Sequence, residues 1–184
     1  PVMWHKSRMT LAGPGNIATS STAATHFLDF EGEPVIVTSK YTPDISVEDA
    51  PVYIREYILG NVLTAPAYQD PKREGWQFTR CKAFGNFVPL GPVLTSPAAF
   101  GTFKKQTITT KVNGKVFQES FSSLIHGPAA LISFPSQGTT LPAGPVVMVA
   151  SPPGIGFFQN PKSNLKNGDA AGIEISSTGF CKMR

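Results

Sequence analysis

The sequence is poor in charged residues. Only 15% of its 184 residues are Asp, Glu, Lys or Arg, and their net charge is +4, whereas soluble domains usually carry ~25% charged residues. The basic residues occur singly or in pairs, such as Lys104 with Lys105, without the basic stripe and interleaved aromatic residues of a nucleic-acid-binding surface. The sequence therefore predicts no nucleic-acid partner.

Cysteines, glycosylation sites and long apolar runs are also scarce. Cys81 and Cys181 are too few for a disulfide framework, and there is no Asn-x-Ser/Thr sequon. Both absences favour a reducing, intracellular address, and we expect the cytoplasm. The longest apolar stretch, residues 146–158, is interrupted by a Ser-Pro-Pro-Gly segment, whereas a membrane-spanning helix needs about 20 apolar residues. No membrane partner is predicted.

Glycine and proline are, by contrast, abundant, with 17 of each. Breaks at such short spacing exclude a helical bundle or a coiled coil and favour β architecture. A hydrophobic content of 41%, with 13 Phe, is ample for a packed core, and the length suits a single domain over residues 1–184. We predict a mainly β (α+β) domain with few short helices.

The predicted elements are mostly short strands. Asn113-Gly114, between two β-prone runs, is the strongest hairpin signal and predicts a type I′ turn. Ser46 with Asp49 three residues later resembles a capping box, which predicts a helix over residues 46–57. The remaining apolar patterns predict strands at 26–38, 87–95, 107–112, 145–150, 171–176 and 178–182 and a short helix at 128–134.

The segment Asp29-Phe30-Glu31-Gly32-Glu33 carries the first chemical signal. On a strand, residues i and i+2 project from the same face, so Glu31 and Glu33 point into one space. Two carboxylates about 5 Å apart repel by roughly 3 kcal/mol at an effective dielectric near 20. Such a pair is tolerated when it is solvated on a strand edge, when one acid is protonated, or when a hard cation bridges the two. The segment alone leaves these alternatives open.

Several short motifs follow one another in a specific order over nearly the whole chain, although each motif alone is weak. They are Lys6 with Leu11-Ala12-Gly13-Pro14-Gly15 ("K-P … L-x-G-P-G"), Leu28-Asp29-Phe30-Glu31-Gly32-Glu33 ("D-Y-E-x-E-L"), Gly60-Asn61 ("G-N-D-x-S-x-R-x-x-Q"), Lys82-Ala83-Phe84 with Pro89-Leu90-Gly91-Pro92 ("K-S-F-D-x-F-x-P-L-G-P"), Thr140-Leu141-Pro142-Ala143-Gly144 ("T-L-x-P-G-D"), Ser151-Pro152-Pro153-Gly154-Ile155-Gly156 ("T-P-x-G-V-G") and Leu165-Lys166-Asn167-Gly168-Asp169 ("L-x-x-G-D"). Their order resembles that of the fumarylacetoacetate hydrolase superfamily, whose patterns are the ones given in quotation marks.

The resemblance implies a β-rich, distorted roll of mixed sheets that assembles as a homodimer. It implies a hydrolase, lyase or isomerase whose small-molecule substrate is a 1,3-dicarbonyl or a 2-oxo acid. The implied reactions are C–C hydrolysis, decarboxylation, hydration and keto-enol isomerisation, in which bound Mg²⁺, Mn²⁺ or Ca²⁺ stabilises an enolate. Many members also carry a His and a Glu on a lid helix. That lid would precede Pro1, so we expect it outside this sequence.

Residue by residue, the match keeps some functional positions and loses others. Glu31 and Glu33 stand as metal ligands, but the third ligand position is Val62, so the metal site should be weak or absent. The family's Arg is replaced by Pro66, and the acidic residue after "K-S-F" is replaced by Gly85. The retained positions are catalytic Lys82, which would stabilise an oxyanion, and the substrate-binding residues Gln69, Ser151, Lys6 and Gly154.

Two functions are consistent with this pattern. The first is a divergent enzyme for an enolisable substrate, with Glu31 or Glu33 as a base whose pKa is raised by its neighbour. A non-hydrolytic isomerisation or cyclisation in biosynthesis belongs to this class. The alternative is a catalytically silent homologue that serves as a binding or interaction protein. Val62 and Pro66 would make its pocket more apolar and suited to a large hydrophobic ligand.

Overall fold

Short strands dominate the computed structural model, which describes residues 1–19, 27–75, 77–121 and 124–184. Within these ranges the prediction of a mainly β (α+β) fold is confirmed. The strands are, in chain order, β1 (Leu11–Ala12), β2 (Gly32–Thr38), β3 (Thr42–Pro43), β4 (Ile54–Asn61), β5 (Val88–Pro89), β6 (Thr107–Val112), β7 (Lys115–Phe121), β8 (Thr140–Leu141), β9 (Val146–Met148), β10 (Ala171–Ile175) and β11 (Gly179–Met183).

Two antiparallel sheets form the body of the fold. One has the strand order β4-β2-β9 and the other β11-β10-β6-β7. Two small sheets flank them: β1 pairs with β5 in parallel, and β3 pairs with β8 in antiparallel orientation. The register of β2 with β4 places Gly32 opposite Asn61 and Glu33 opposite Gly60. The start of β2 therefore lies beside the end of β4, and this is where the site forms.

The helices of the described residues are short. They are α1 (Pro71–Glu74), α2 (Thr79–Lys82), α3 (Pro97–Phe100) and α4 (Pro128–Ser136), with 3-10 helices at Arg8–Thr10, Ala50–Tyr53, Pro66–Tyr68, Phe103–Lys105 and Gly156–Phe158. In this part of the chain, no helix has the length and apolar character needed to cross a membrane.

The main core lies between the two sheets. Phe30, Ile36, Leu59 and Ile173 are fully buried in it, and each such side chain contributes about 1.5–3 kcal/mol through burial. The start of β2 packs tightly on β6, because a Cβ atom at Gly32 would lie 2.2 Å from Thr110 Oγ1. A larger residue at this position would push β2, and Glu33 with it, away from the second sheet.

The prediction of a helix over residues 46–57 is wrong. The capping turn does form, since the Asp49 backbone N–H donates to Ser46 Oγ over 3.0 Å. It leads only into the 3-10 helix Ala50–Tyr53, and β4 begins at Ile54. Pro51 offers no backbone donor to an α-helix, and β4 gains a ladder of backbone hydrogen bonds along β2. Long-range pairing therefore overrides the local helix signal.

Other predicted elements are largely confirmed. Asn113 and Gly114 have φ angles of 50° and 84°, as a type I′ turn requires, and they join β6 to β7. The predicted short helix is α4, and the closing strands are β10 and β11. The strand predicted over 26–38 begins only at Gly32, and His26 lies outside the described residues. Of the strand predicted over 87–95, only Val88–Pro89 is regular.

Candidate active site

Glu31 is held beside the end of β4 by two backbone hydrogen bonds. Its N–H donates to Asn61 Oδ1 over 2.9 Å, and its carbonyl accepts from the Val62 N–H over 2.8 Å. Asn61 is itself fully buried and directs its side-chain amide to Met183 Sδ. The Gly-Asn segment thus fixes the backbone from which the Glu31 carboxylate projects.

The Glu31 carboxylate belongs to a buried ion pair. Its Oε1 accepts from Lys82 Nζ over 2.5 Å and from Thr64 Oγ1 over 2.7 Å, and Lys82 Nζ also lies 2.9 Å from Thr64 Oγ1. The Lys82 side chain is only 4% exposed. Helix α2, which carries Lys82, is docked by the Ala65 N–H, which donates to the Cys81 carbonyl. Lys82 is therefore a fixed cation held against Glu31.

Glu33 lies next to this pair on β2 and is 6% exposed. Burial raises the pKa of Glu33 to about 8. The negative charge of Glu31 adds to this rise, while Lys82 and Lys6 oppose it. The two acids are therefore not a solvated pair on a strand edge. At neutral pH a large share of Glu33 is in the protonated form, and a modest change in its surroundings would ionise it.

Lys6 is a second lysine close to Glu31, Glu33 and Lys82. Burial, followed by repulsion from Lys82, lowers the pKa of Lys6 to about 8, and Glu33 and Glu31 partly offset this. Its Nζ atom is buried and has no hydrogen-bond partner among the described residues. The structure thus brings together four of the predicted site residues: Lys6, Glu31, Glu33 and Lys82.

A cavity of about 870 Å³ opens at this cluster. We call Lys6 and Glu33, which line it, the charged end. We call Leu131 and Phe134 of α4 together with strand β9 the apolar wall. Val62 and Ser151 also line the cavity, as do His5, His126 and the segment from Pro1. The cavity therefore combines a small charged region with a large apolar surface.

Ser151 is held in the cavity wall by a buried glutamine. Gln118 of β7 donates through Nε2 to Ser151 Oγ over 2.6 Å and to the Pro152 carbonyl over 2.7 Å, and its Oε1 accepts from the Gly32 N–H over 3.0 Å. One side chain thus connects the start of β2 to the segment that follows β9. The orientation of Ser151 and the position of Glu33 are set together.

Gly154 and Asp29 also fix the position of the segment that follows β9. Gly154 has φ +115°, and a Cβ atom there would lie 2.1 Å from the Phe117 carbonyl oxygen, so Gly154 permits a close backbone approach. The Asp29 carboxylate accepts from the N–H groups of Gly156 and Phe157 over 2.7 and 2.8 Å. Burial raises the pKa of Asp29, against these hydrogen bonds. Asp29 is therefore a structural clamp.

Other positions from the motif comparison lie away from the charged end. Gln69 follows the 3-10 helix Pro66–Tyr68 and is half-buried, and neither Gln69 nor Gly154 is among the residues that line the cavity. Val62 is 2% exposed and faces the cavity with an apolar side chain. The position implied as the third metal ligand thus contributes no oxygen.

The described residues do not fit a divalent metal ion by themselves. A hard cation such as Mg²⁺, Mn²⁺ or Ca²⁺ takes at least six oxygen ligands, several of them from the protein or the substrate. Among the described residues, no three His, Cys, Asp or Glu side chains are grouped so that they could hold a metal ion. Glu31 already accepts from Lys82 and Thr64, and Lys6 adds a further positive charge. The local charge balance disfavours another cation.

Three site residues were not identified from the sequence. Thr64 bridges Glu31 and Lys82, and its hydroxyl occupies the Ser position of the "G-N-D-x-S" motif, so a signal existed. Gln118 lies outside every motif, and its role depends on Gly32, which is 86 residues away in the chain. The clamp formed by Asp29 likewise joins residues more than 120 positions apart.

The same fold occurs in solved enzyme structures. A fumarylacetoacetate hydrolase from the psychrophilic Exiguobacterium antarcticum superposes with a TM-score of 0.89 at 28% identity, over 100% of this chain and 65% of that chain. A 2-hydroxyhepta-2,4-diene-1,7-dioate isomerase from Mycobacterium marinum superposes with a TM-score of 0.83 at 28% identity, over 100% of this chain and 68% of that chain. The architecture is therefore that of a class of hydrolases and isomerases.

The sequence places the chain within this class. Residues 1–184 match the family model described as fumarylacetoacetate (FAA) hydrolase C-terminal. The oxaloacetate tautomerase YisK of Bacillus subtilis is 33% identical over 180 residues, which cover 97% of this chain and 59% of that protein. The chain belongs to the fumarylacetoacetate hydrolase family. It spans about three-fifths of the length of this curated relative, which bears an enzyme name, in agreement with the expected enzyme class.

Proposed function

We propose that the protein is an enzyme that catalyses keto-enol chemistry on a small enolisable substrate, a 2-oxo acid or a 1,3-dicarbonyl. The observation that carries this proposal is the position of Glu33, a buried carboxyl on the wall of an 870 Å³ cavity. The family membership and the name of the tautomerase relative support the same reaction class. Tautomerisation is the simplest reaction that this arrangement supports.

In the proposed reaction, Glu33 acts as the general base. Its carboxylate removes a proton from the carbon next to the substrate carbonyl, and the resulting negative charge moves to the carbonyl oxygen. A pKa near the working pH suits a group that must both accept and return a proton. Besides burial, the nearby pair of Glu31 and Lys82 influences the pKa of Glu33, since Glu31 raises it and Lys82 lowers it. Ser151, fixed by Gln118, offers a hydroxyl to the bound substrate.

The other properties that the family resemblance predicts are also part of this proposal. Gln69, Lys6 and Gly154 remain predicted substrate-binding residues, although Gln69 and Gly154 lie outside the cavity lining. Glu31 and Glu33 remain the predicted ligands of any Mg²⁺, Mn²⁺ or Ca²⁺, at a site that their surroundings weaken. The cytoplasmic location and the homodimer also remain predictions, and light scattering combined with size-exclusion chromatography tests the assembly.

Proton exchange at carbon tests the proposed function directly. Oxaloacetate and a series of acylpyruvates are incubated with the protein in D₂O, and deuterium incorporation at C3 is followed by NMR together with the ultraviolet absorbance of the enol. We expect accelerated exchange that falls about a hundredfold or more in Glu33→Gln. The exposed Glu174, on the outer face of β10, provides the control Glu174→Gln, which should exchange like the wild type.

The outcome also separates the enzyme from the silent homologue. Exchange at the uncatalysed rate for every substrate would contradict the enzyme proposal and favour the binding protein. Cleavage or loss of CO₂ without prior exchange at C3 would contradict tautomerisation but keep the broader enzyme class. Equal exchange by wild type and Glu33→Gln would show that Glu33 is not the base.

A further inference from the structure

The buried ammonium group of Lys6 has no hydrogen-bond acceptor among the described residues. The other buried side-chain atoms that lack a partner in the described part of the chain are hydroxyl oxygens, at Thr110, Ser177 and Thr178. A buried ammonium group without an acceptor is far more costly than an unpaired hydroxyl. Since Lys6 lines the cavity, an oxygen atom of a bound ligand is the acceptor that this position lacks.

The formal charges around Lys6 leave no negative charge for an added cation to neutralise. Lys6 lies within electrostatic range of Glu33, Glu31 and Lys82. The two ammonium groups balance two carboxylates when Glu33 is ionised, and they exceed the single Glu31 carboxylate when Glu33 is protonated. Lys82 is already committed to Glu31 and Thr64, and Val62 offers no oxygen. A divalent ion placed here without an accompanying anion would leave an excess charge of at least +2 in a buried region, which is strongly unfavourable. Within the described ranges, the Lys6 ammonium is the charged donor at this site that still lacks an acceptor.

We propose that the Lys6 ammonium takes the role that a divalent metal ion has in enolate stabilisation, and that it binds the carbonyl oxygen of the substrate directly. This proposal rests on the proposed function only in identifying that oxygen as part of an enolisable 2-oxo acid or 1,3-dicarbonyl. An ammonium group donates hydrogen bonds to a developing oxyanion and stabilises its charge, as preorganised donors do in other enzymes.

The proton transfer requires only groups that this chain and the substrate supply. Glu33 carboxylate takes the proton from the carbon beside the carbonyl, and the C–H electron pair forms the new C=C bond. The carbonyl π electrons move to the oxygen, which Lys6 stabilises through a hydrogen bond. Transfer of the same proton from Glu33 to that oxygen releases the enol and restores the carboxylate. No oxidant, reductant or co-substrate is consumed.

Oxalate, a planar dianion that mimics an enolate of a 2-oxo acid, tests the binding half of the proposal. Its affinity is measured by isothermal titration calorimetry after exhaustive treatment with EDTA. We expect binding to the wild type without metal and a loss of roughly ten- to a hundredfold in Lys6→Met, which keeps most of the apolar stem. Lys104→Met, at an exposed lysine, is the control and should bind like the wild type. Lys6→Arg, which keeps the charge, should restore part of the affinity.

Manganese binding tests the claim that Lys6 takes the place of a divalent metal ion. Electron paramagnetic resonance of Mn²⁺ should show no tight site in the wild type, and a new site should appear when Val62→Asp supplies a third carboxylate and Lys6→Met removes the competing charge. Circular dichroism of each variant verifies that it is folded. Tight Mn²⁺ binding by the wild type, or oxalate binding that requires Mg²⁺ and ignores Lys6→Met, would overturn the proposal.

The two proposals fail separately. If exchange of oxo acids is catalysed but is abolished by EDTA and restored by Mg²⁺, the proposed function stands and the role of Lys6 is rejected. If no oxo acid is turned over, yet oxalate binds without metal and depends on Lys6, the ammonium site stands and the proposed function is rejected. Exchange that persists in EDTA and falls about a hundredfold or more in Lys6→Met supports both.

Discussion

The charged end and the apolar wall of the cavity are built in different ways. The charged end depends on a few side chains, each fixed by specific partners, as Lys82 is by Glu31 and Thr64. The apolar wall consists of the uncharged, apolar side chains of Leu131, Phe134 and β9. Leu131 and the β9 side chains are partly buried, and Phe134 is 47% exposed. Hydrophobic contact is non-directional and proportional to area, whereas buried charges need particular partners.

We infer that the charged end determines reactivity and that the apolar wall determines substrate selectivity. Substitution of one residue at the charged end should change chemistry and stability sharply, because a buried charge is left without its partner. Substitution in the apolar wall should change affinity in small, additive steps. The expected effects therefore decrease from the buried ion pair, through the titrating groups, to the apolar wall.

Removing the buried cation should have the largest effect on stability. Lys82→Met leaves the Glu31 carboxylate, whose side chain is only 12% exposed, without its ion-pair partner, and we expect a loss of about 3–5 kcal/mol in the free energy of unfolding. Urea denaturation followed by circular dichroism measures it. The matched control is Lys111→Met, because Lys111 lies 3.8 Å from Glu174 in a pair whose side chains are 39% and 51% exposed. That variant should lose less than about 1 kcal/mol. Equal losses in the two variants would contradict the contrast.

The charged end should also make stability depend on pH. The folded state raises the pKa of Glu33 from 4.5 to about 8, so it binds more protons than the unfolded state in this window, and stability falls as pH rises through it. It lowers the pKa of Lys6 from 10.5 to about 8, so stability recovers as pH rises further. The free energy of unfolding should therefore be lowest near pH 8.

The size of this pH effect is a few kcal/mol, since a tenfold change in proton affinity corresponds to about 1.4 kcal/mol. Urea denaturation at a series of pH values measures it. Glu33→Gln should remove the fall on the acid side, and Lys6→Met should remove the rise on the alkaline side. A flat profile for the wild type, or an unchanged profile for Glu33→Gln, would mean that these groups titrate as they do in solvent.

The apolar wall should give the smallest steps. Lengthening the acyl chain of an acylpyruvate by one methylene should lower its KM by up to about fourfold, because a buried methylene contributes about 0.8 kcal/mol, with kcat nearly constant. Steady-state kinetics on a homologous series measures this dependence. Phe134→Ser should flatten it without changing the rate for the shortest member. A preference for short dicarboxylates would show instead that the wall does not contact the substrate.

The sequence was most informative where local pattern and structure agree. The Asn113-Gly114 turn and the strands that follow Gly168 were predictable because turn geometry and alternation are local. The strand β4 was not, because its partner β2 overrides the capping turn at Ser46. For the candidate site, the motif order predicted Glu31, Glu33, Lys82, Lys6 and Ser151, which the structure places at or beside the cavity, and also Gln69 and Gly154, which do not line it. It did not identify Gln118, whose importance comes from contacts with residues more than 30 positions away on either side.

The Asp29 clamp fixes the segment before β2 relative to the segment that follows β9. Asp29 is held by Gly156 and Phe157 and is only two residues before Glu31, with Phe30 locked in the core between them. The backbone that carries the Glu31 carboxylate is therefore fixed relative to the segment that follows Ser151. The ion pair of Glu31 with Lys82 depends on this long-range contact as well as on its own hydrogen bonds.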